Sequence, residues 1–262
     1  MNSTLLHFFH GLPKGKLYLP LMGTPIPSVV IVLAYLLLIF KVGPDFMKSR
    51  KPYNLRTAML IYNLSQVFMN FIFFVMSAYY LFVKKTYNLC CMEVLPLNHP
   101  DKNAERLMTY AFFLNKLADL MDTIFFVLRK SYKQITVLHV YHHVLMALGV
   151  PFVNYFYGPG AQYGLMAHLN SFVHVVMYAY YFASAWYPQV KSKLWWKEYI
   201  TKLQILQFVI LLAQSILTMT LNPGCTFPRT LQLTQLSLSV SMIVMFGNFY
   251  YQTYLKAKSK QH

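Results

Sequence analysis

Residues 135–156 read Ile135-Thr-Val-Leu-His139-Val-Tyr-His142-His143-Val-Leu-Met-Ala-Leu-Gly-Val-Pro151-Phe-Val-Asn-Tyr-Phe156. A helix needs about 20 mostly apolar residues to cross roughly 30 Å of hydrocarbon, and this stretch has that length. Yet three imidazoles fall within five of its residues. At helical pitch, positions i, i+3 and i+4 share one side, so His139, His142 and His143 form a cluster rather than a scatter. Ionisable groups inside a spanning helix are costly, and they face a protein interior or a watery cavity. Two chemistries use such a box: metal ligation and acyl transfer.

The same length scale recurs on both sides of the box. The chain is 57% hydrophobic and 11% charged over 262 residues, which leaves no room for a large soluble domain. Seven spans are predicted, over about 26–43, 58–83, 107–128, 135–156, 161–186, 199–220 and 232–254. The fold class is therefore an all-α membrane protein with seven transmembrane helices in a single polytopic domain. Residues 1–25 form an N-terminal segment, 26–254 the core and 255–262 a basic tail. The first span has no small-residue cleavage site, so it is expected to stay as an anchor.

Charge sets the expected orientation. Loops after the first, third and fifth spans, together with the tail, hold roughly twice as many Lys and Arg residues as the opposite set. Positive residues collect on the cytoplasmic side, so the C-terminus is expected there and the N-terminus in the lumen. The formal charge of +16 suits anionic lipid headgroups or a rim for a polyanionic substrate. Its spread over short loops argues against nucleic acid. The tail Lys258-Ser-Lys260-Gln-His262 resembles a dilysine retrieval signal of the endoplasmic reticulum, and Asn2-Ser-Thr4 is a potential lumenal glycosylation site. All three cysteines, Cys90, Cys91 and Cys225, fall in predicted lumenal loops, where disulfides persist. One bridge is expected, from Cys225 to Cys90 or Cys91, and no thiol is available beside the histidines.

Neighbouring spans also carry polar stripes. In the third, Lys116, Asp119 and Asp122-Thr123 stack along one side, placed either as a buried ion pair or to orient imidazoles on the next helix. Arg129-Lys130-Ser-Tyr-Lys133 then leads into the histidine helix, where it is well placed to contact phosphate. The fifth span offers Asn170, His174, Tyr178 and Tyr181, and the sixth Thr201, Gln204 and Gln207. His168 lies on a different side of its helix and is left without a role. Four consecutive polar-striped helices with apolar exteriors imply a bundle around a polar-headed cavity, suited to an amphiphile with a long tail. Membrane di-iron desaturases and hydroxylases use similar boxes, but they need several of them to satisfy two irons. His7, His10, His99 and His262 fall in loops or termini, so no metal is expected. A seven-helix lipid receptor or transporter is the alternative from another class.

These residues resemble the ELO family of very-long-chain fatty acid elongases. Leu138-His139-Val-Tyr-His142-His143 matches its HxxHH box, and Asp122-Thr123-Ile-Phe-Phe126-Val-Leu-Arg129-Lys130 its DTxFFxLRK segment. Asn170-Ser-Phe-Val-His174-Val-Val-Met177-Tyr178-Ala-Tyr180-Tyr181 resembles NxxxHxxMYxYY, and Thr201-Lys-Leu-Gln204-Ile-Leu-Gln207 resembles TxxQxxQ. The four occur in the family's order. One departure is Asp119, which stands where the family has glutamate in Lys-x-x-Glu, an arm shorter by one methylene.

The resemblance implies an endoplasmic-reticulum protein in which helices two to seven form a barrel around an internal substrate tunnel. It implies condensation of a long-chain acyl-CoA with malonyl-CoA to a 3-oxoacyl-CoA two carbons longer, releasing CO2 and CoA, with no cofactor. Expected partners are those two thioesters, membrane lipid, and the 3-ketoacyl reductase, dehydratase and enoyl reductase of the elongation cycle, with homo-oligomers possible. His142 is the expected nucleophile or base, with His139, His143 and His174 managing protons. Asp119 and Asp122 would hold imidazole tautomers. Lys116, Arg129, Lys130, Asn170, Tyr178, Tyr181, Thr201, Gln204 and Gln207 would contact substrate. The family's lumenal cysteine matches Cys91 better than Cys90, which favours a Cys91–Cys225 disulfide.

Overall fold

A computed structural model describes residues 19–160, 162–187, 189–190, 194–222 and 224–256; Asn2 and the dilysine tail lie outside them. The described chain is helical, with no β-strand among the described residues. Its elements are α1 (Ile26–Met47), α2 (Arg56–Val83), α3 (Lys102–Ala118), α4 (Met121–Leu128), α5 (Val137–Phe156), α6 (Tyr163–Trp186), α7 (Leu194–Leu221) and α8 (Arg229–Leu255). Helices α1, α2, α5, α7 and α8 are long and apolar enough to cross a membrane. The chain is thus an all-α membrane protein. The predicted third span corresponds to α3 with α4 and the fifth to α6, whose polar residues dilute their apolar character.

The third span differs from the continuous helix expected over 107–128. It breaks at Asp119-Leu120, where ψ is −22° at both residues. There Leu120 N–H bonds the Leu117 carbonyl and Asp122 N–H the Asp119 carbonyl, a three-residue spacing that tightens the turn. Aspartate is a weak helix former, and here its side chain is drawn back to Lys116.

The helices are inside-out relative to a water-soluble protein. On α1, Ile26, Val30, Leu33, Leu37 and Phe40 are exposed while Ser28 and Tyr35 are buried. On α2, Ile61, Leu64, Phe68 and Val75 face outward while Asn63, Gln66, Asn70 and Ser77 face inward. Lipid tails solvate the first set, and interhelical hydrogen bonding suits the second.

The helices gather into two compact units. The first comprises α1, α3, α4 and α5, from residues up to 55 and 94–161. Its apolar core joins Tyr35, Ile39 and Met47 of α1 to Val127 of α4, with Leu120 from the joint before it. Tyr35, Ile39, Gly43 and Met47 recur every four residues, so they form one ridge. Gly43 permits the close approach: a Cβ there would sit 2.7 Å from Val127 Cγ1 and from the Leu38 carbonyl oxygen. The second unit comprises α2, α6, α7 and α8, from residues 56–93 and 162–262. In it α2 runs along α6, and α7 packs on both α6 and α8. A disulfide joins Cys91 to Cys225 with Cα atoms 5.6 Å apart. Beside it Glu93 accepts hydrogen bonds from the backbone and hydroxyl of Thr226, and Asn222 Nδ2 donates to the Cys90 carbonyl at 3.2 Å. Cys90 is free and exposed.

Candidate active site

The histidine helix begins at Thr136, whose hydroxyl accepts from the His139 backbone N–H at 3.2 Å. That cap fixes the first turn and with it the direction of the His139 ring. His139 and His143, four residues apart, meet with ring centroids 4.3 Å apart, and His142 and His143 lie 5.7 Å apart. His143 is buried, while His139 and His142 are partly accessible.

The partner of His139 is Thr123. Thr123 Oγ1 lies 2.8 Å from His139 Nε2 and 2.7 Å from the Tyr35 hydroxyl. Three helices, α1, α4 and α5, are thereby joined by one hydrogen-bond chain. Phe126, one turn beyond Thr123, stacks obliquely on the same imidazole at 5.3 Å. Two stretches that are separate in sequence, Asp122–Lys130 and His139–His143, are one physical unit.

Lys116 Nζ bonds Asp119 Oδ2 at 2.8 Å, with both side chains almost fully buried. The ammonium also sits 5.0 Å from the Phe112 ring centroid. Asp119 is therefore engaged by Lys116, and the hydrogen bond to His139 comes from Thr123. Asp122 lies in the first turn of α4. At the far end of α4, Lys130 takes a left-handed conformation at φ 54°. Ser131 N–H reaches back to the Phe126 carbonyl and Lys130 N–H to Val127, which closes the helix with the motif usually built on glycine. The turn directs Lys130 Nζ to the Lys48 carbonyl at 3.5 Å, next to Arg129.

The second unit holds the remaining expected residues. Asn170, His174 and Tyr178 are buried along α6, and Tyr181 is largely exposed. The His174 and Tyr178 rings are 5.6 Å apart, and Tyr178 Oη lies 3.3 Å from Tyr62 Oη of α2. On α7, Thr201 and Gln207 are buried. Thr201 contacts the Tyr254 hydroxyl at 3.4 Å and Gln204 Nε2 contacts Met177 Sδ at 3.8 Å. His168 is a packing residue: its Nδ1 meets Ser77 Oγ at 2.8 Å and its ring lies on Phe74.

Sequence reasoning missed Tyr35, which has no motif, and the amide ladder of α2. In the latter Asn70 Nδ2 donates to Gln66 Oε1 at 3.1 Å and Gln66 Nε2 to Tyr62 Oη at 3.4 Å. The three- and four-residue spacing of Asn63, Gln66 and Asn70 was a usable signal. Also missed was the buried Lys102–Glu105 pair at 2.7 Å, where burial lowers the lysine pKa against the opposing pull of Glu105. Cys91, Glu93 and Cys225 cluster tightly, but the two sulfurs are bonded to each other.

The sequence model of the ELO (GNS1/SUR4) family matches residues 20–262. The chain belongs to the ELO family. Among its relatives, a Drosophila melanogaster protein named very long chain fatty acid elongase F is 39% identical over 248 residues, covering 95% of this chain and 96% of the relative. Human very long chain fatty acid elongase 4 is 35% identical over 246 residues, covering 91% of this chain and 74% of the relative. This ELO chain therefore spans nearly the full length of one relative and about three-quarters of the other.

Proposed function

We propose that this protein is a condensing enzyme of fatty acid elongation, joining a long-chain acyl-CoA to malonyl-CoA. The observation that carries the reading is the imidazole cluster of α5, locked to Thr123 and Phe126, in a chain whose relatives are named elongases. The reading includes residence in the endoplasmic-reticulum membrane with the C-terminus cytoplasmic, and a barrel of helices around a substrate tunnel. It also includes the reductases and dehydratase that would consume a 3-oxoacyl product.

In this mechanism a ring nitrogen of neutral His142 attacks the acyl thioester carbon. The carbon–sulfur bond breaks and CoA leaves as its thiol, carrying the imidazole proton. Malonyl-CoA then loses CO2, and the electron pair of that bond becomes an enolate. The enolate attacks the acyl-imidazole, forms the new carbon–carbon bond and returns the ring to its neutral state after a proton is regained. Arg129 and Lys130 suit the CoA phosphates, and Asn170, His174 and Gln204 are candidates for stabilising the oxyanion or the enolate. No cofactor is required, because decarboxylation supplies the carbanion.

Incubation of purified protein with labelled malonyl-CoA and a panel of acyl-CoAs tests the reading. Product two carbons longer is expected, with His142→Ala losing at least about a thousandfold in rate. Acyl-CoA alone should leave an acyl mass on His142. Condensation without any such adduct would make His142 a base in a one-step reaction, and no condensation with any acyl-CoA would overturn the assignment.

A further inference from the structure

The Tyr35–Thr123–His139 chain has a direction. Tyr35 is buried, and among the described residues Thr123 is the hydrogen-bond partner of its hydroxyl. A buried phenol proton left without an acceptor is costly, so Tyr35 donates to Thr123 Oγ1. The threonine hydroxyl has a single proton, and with Tyr35 donating to it, that proton goes to His139 Nε2 at 2.8 Å. His139 Nε2 is then the acceptor, and neutral His139 carries its own proton on Nδ1. Among the described residues Nδ1 has no hydrogen-bond partner, and the ring is partly accessible. His139 thus offers a single N–H, fixed in direction by the cap below it and by the threonine behind it.

We propose that His139 is the hydrogen-bond donor to the thioester oxygen as it gains negative charge, and that Tyr35 and Thr123 are positioning residues that hold its Nδ1 proton in place. This rests on the condensing reading and assigns within it a role other than proton management. A neutral imidazole that gave up this proton would become imidazolate, so His139 donates a hydrogen bond and transfers no proton. No bond to His139 forms or breaks, and the charge it stabilises is returned when the carbonyl re-forms. The first helix, which the family likeness sets outside the barrel, thereby takes part in the chemistry through Tyr35.

Two isosteres separate the ring nitrogens. An asparagine amide falls near the position of imidazole Nδ1 and a glutamine amide near Nε2. His139→Asn should retain on the order of a tenth of the wild-type kcat, while His139→Gln and His139→Ala lose about a hundredfold or more, the usual cost of an oxyanion donor. Tyr35→Phe, which keeps the ring in the apolar core, should lower kcat about tenfold with KM changed less than about twofold. Thr123→Val should match it, Thr123→Ser should restore activity, and the double variant should be no worse than the poorer single one. Glutamine outperforming asparagine, or additive losses in the double variant, would overturn the proposal. Nitrogen-15 NMR of histidine-labelled protein, assigned with His139→Gln, reads the tautomer without any turnover. A proton on Nδ1 supports the proposal even where wild type fails to condense, and a proton on Nε2 refutes it even where wild type is active.

Discussion

The surroundings of the histidine box in the first unit and the tyrosine–amide stripe of the second handle buried polarity differently. In the first, polar contacts around the histidine box are short and closed: Tyr35–Thr123 at 2.7 Å, Thr123–His139 at 2.8 Å and Lys116–Asp119 at 2.8 Å. Along the tyrosine–amide stripe of the second unit they are longer: Tyr62–Tyr178 at 3.3 Å, Gln66–Tyr62 at 3.4 Å and Gln204–Met177 at 3.8 Å, although Ser77–His168 beside it closes to 2.8 Å. There Asn63 Nδ2, Asn70 Oδ1, Ser171 Oγ and Gln235 Oε1 are buried without a protein hydrogen-bond partner among the described residues. In the first unit Ser28 Oγ of α1 and both polar side-chain atoms of Asn154, near the C-terminal end of the histidine helix, share that condition. Short bonds to charged or strongly polar groups fix one geometry, whereas weak amide and thioether contacts admit several. The contacts around the histidine box hold atoms still, and the Tyr62–Gln66–Gln204 stripe keeps a polar face without committing it to one short contact.

The sharpest way to break this contrast is to open the ion pair. Asp119→Ala leaves the Lys116 ammonium buried without its counter-charge, and removing one partner of a buried pair costs about 3–5 kcal/mol. Thermal unfolding in detergent should show that loss. Replacing both residues, as in Lys116→Met with Asp119→Leu, should recover most of the stability, because two well-packed apolar side chains substitute for a desolvated pair. Turnover should stay low in the double variant, since Lys116 and Asp119 are both assigned to the proposed site. Recovery of activity along with stability would show that the pair is only a packing device.

The disulfide lends the second unit a rigidity that its hydrogen bonds do not. Cys91 and Cys225 are 134 residues apart, and a crosslink over so long a loop contributes about 2–4 kcal/mol. Cys225→Ser should therefore lower the unfolding midpoint by more than any single amide substitution in α2. Cys90→Ser should change nothing measurable, being exposed and unbonded.

What the sequence made legible follows period and length rather than that division. Segments with strong period and length, such as Val137–Phe156 and Arg229–Leu255, were readable because lipid demands long apolar helices. The third span was harder: helical spacing placed Lys116 beside Asp119, but it did not show that the helix breaks at Asp119-Leu120. The likeness of four ordered motifs named the family, but it did not show that Thr123 and Phe126 of one motif touch His139 of another. Tyr35 could not have been found at all: a tyrosine in an apolar helix is ordinary, and only packing through Gly43 brings it to Thr123. The amide ladder of α2 was within reach, because Asn63, Gln66 and Asn70 stand at helical intervals in a stretch that lipid would otherwise reject.

The smallest effect is expected where contacts are weakest. Tyr62→Phe removes one hydroxyl that lies 3.3 Å from Tyr178 Oη and 3.4 Å from Gln66 Nε2, while the edge-to-face packing of the two rings at 5.8 Å is kept. A neutral hydrogen bond of ordinary geometry contributes about 0.5–1.5 kcal/mol, and these two are at the long end of the range. Stability should fall by about 1 kcal/mol or less and turnover by no more than a few-fold, compared with about tenfold for the equivalent Tyr35→Phe in the first unit. The two substitutions are chemically identical, one at a half-buried tyrosine and the other at a buried one. Equal losses would mean that hydroxyl count, and not the closure of the chain behind His139, governs the response, and the contrast between the units would then be one of distance alone.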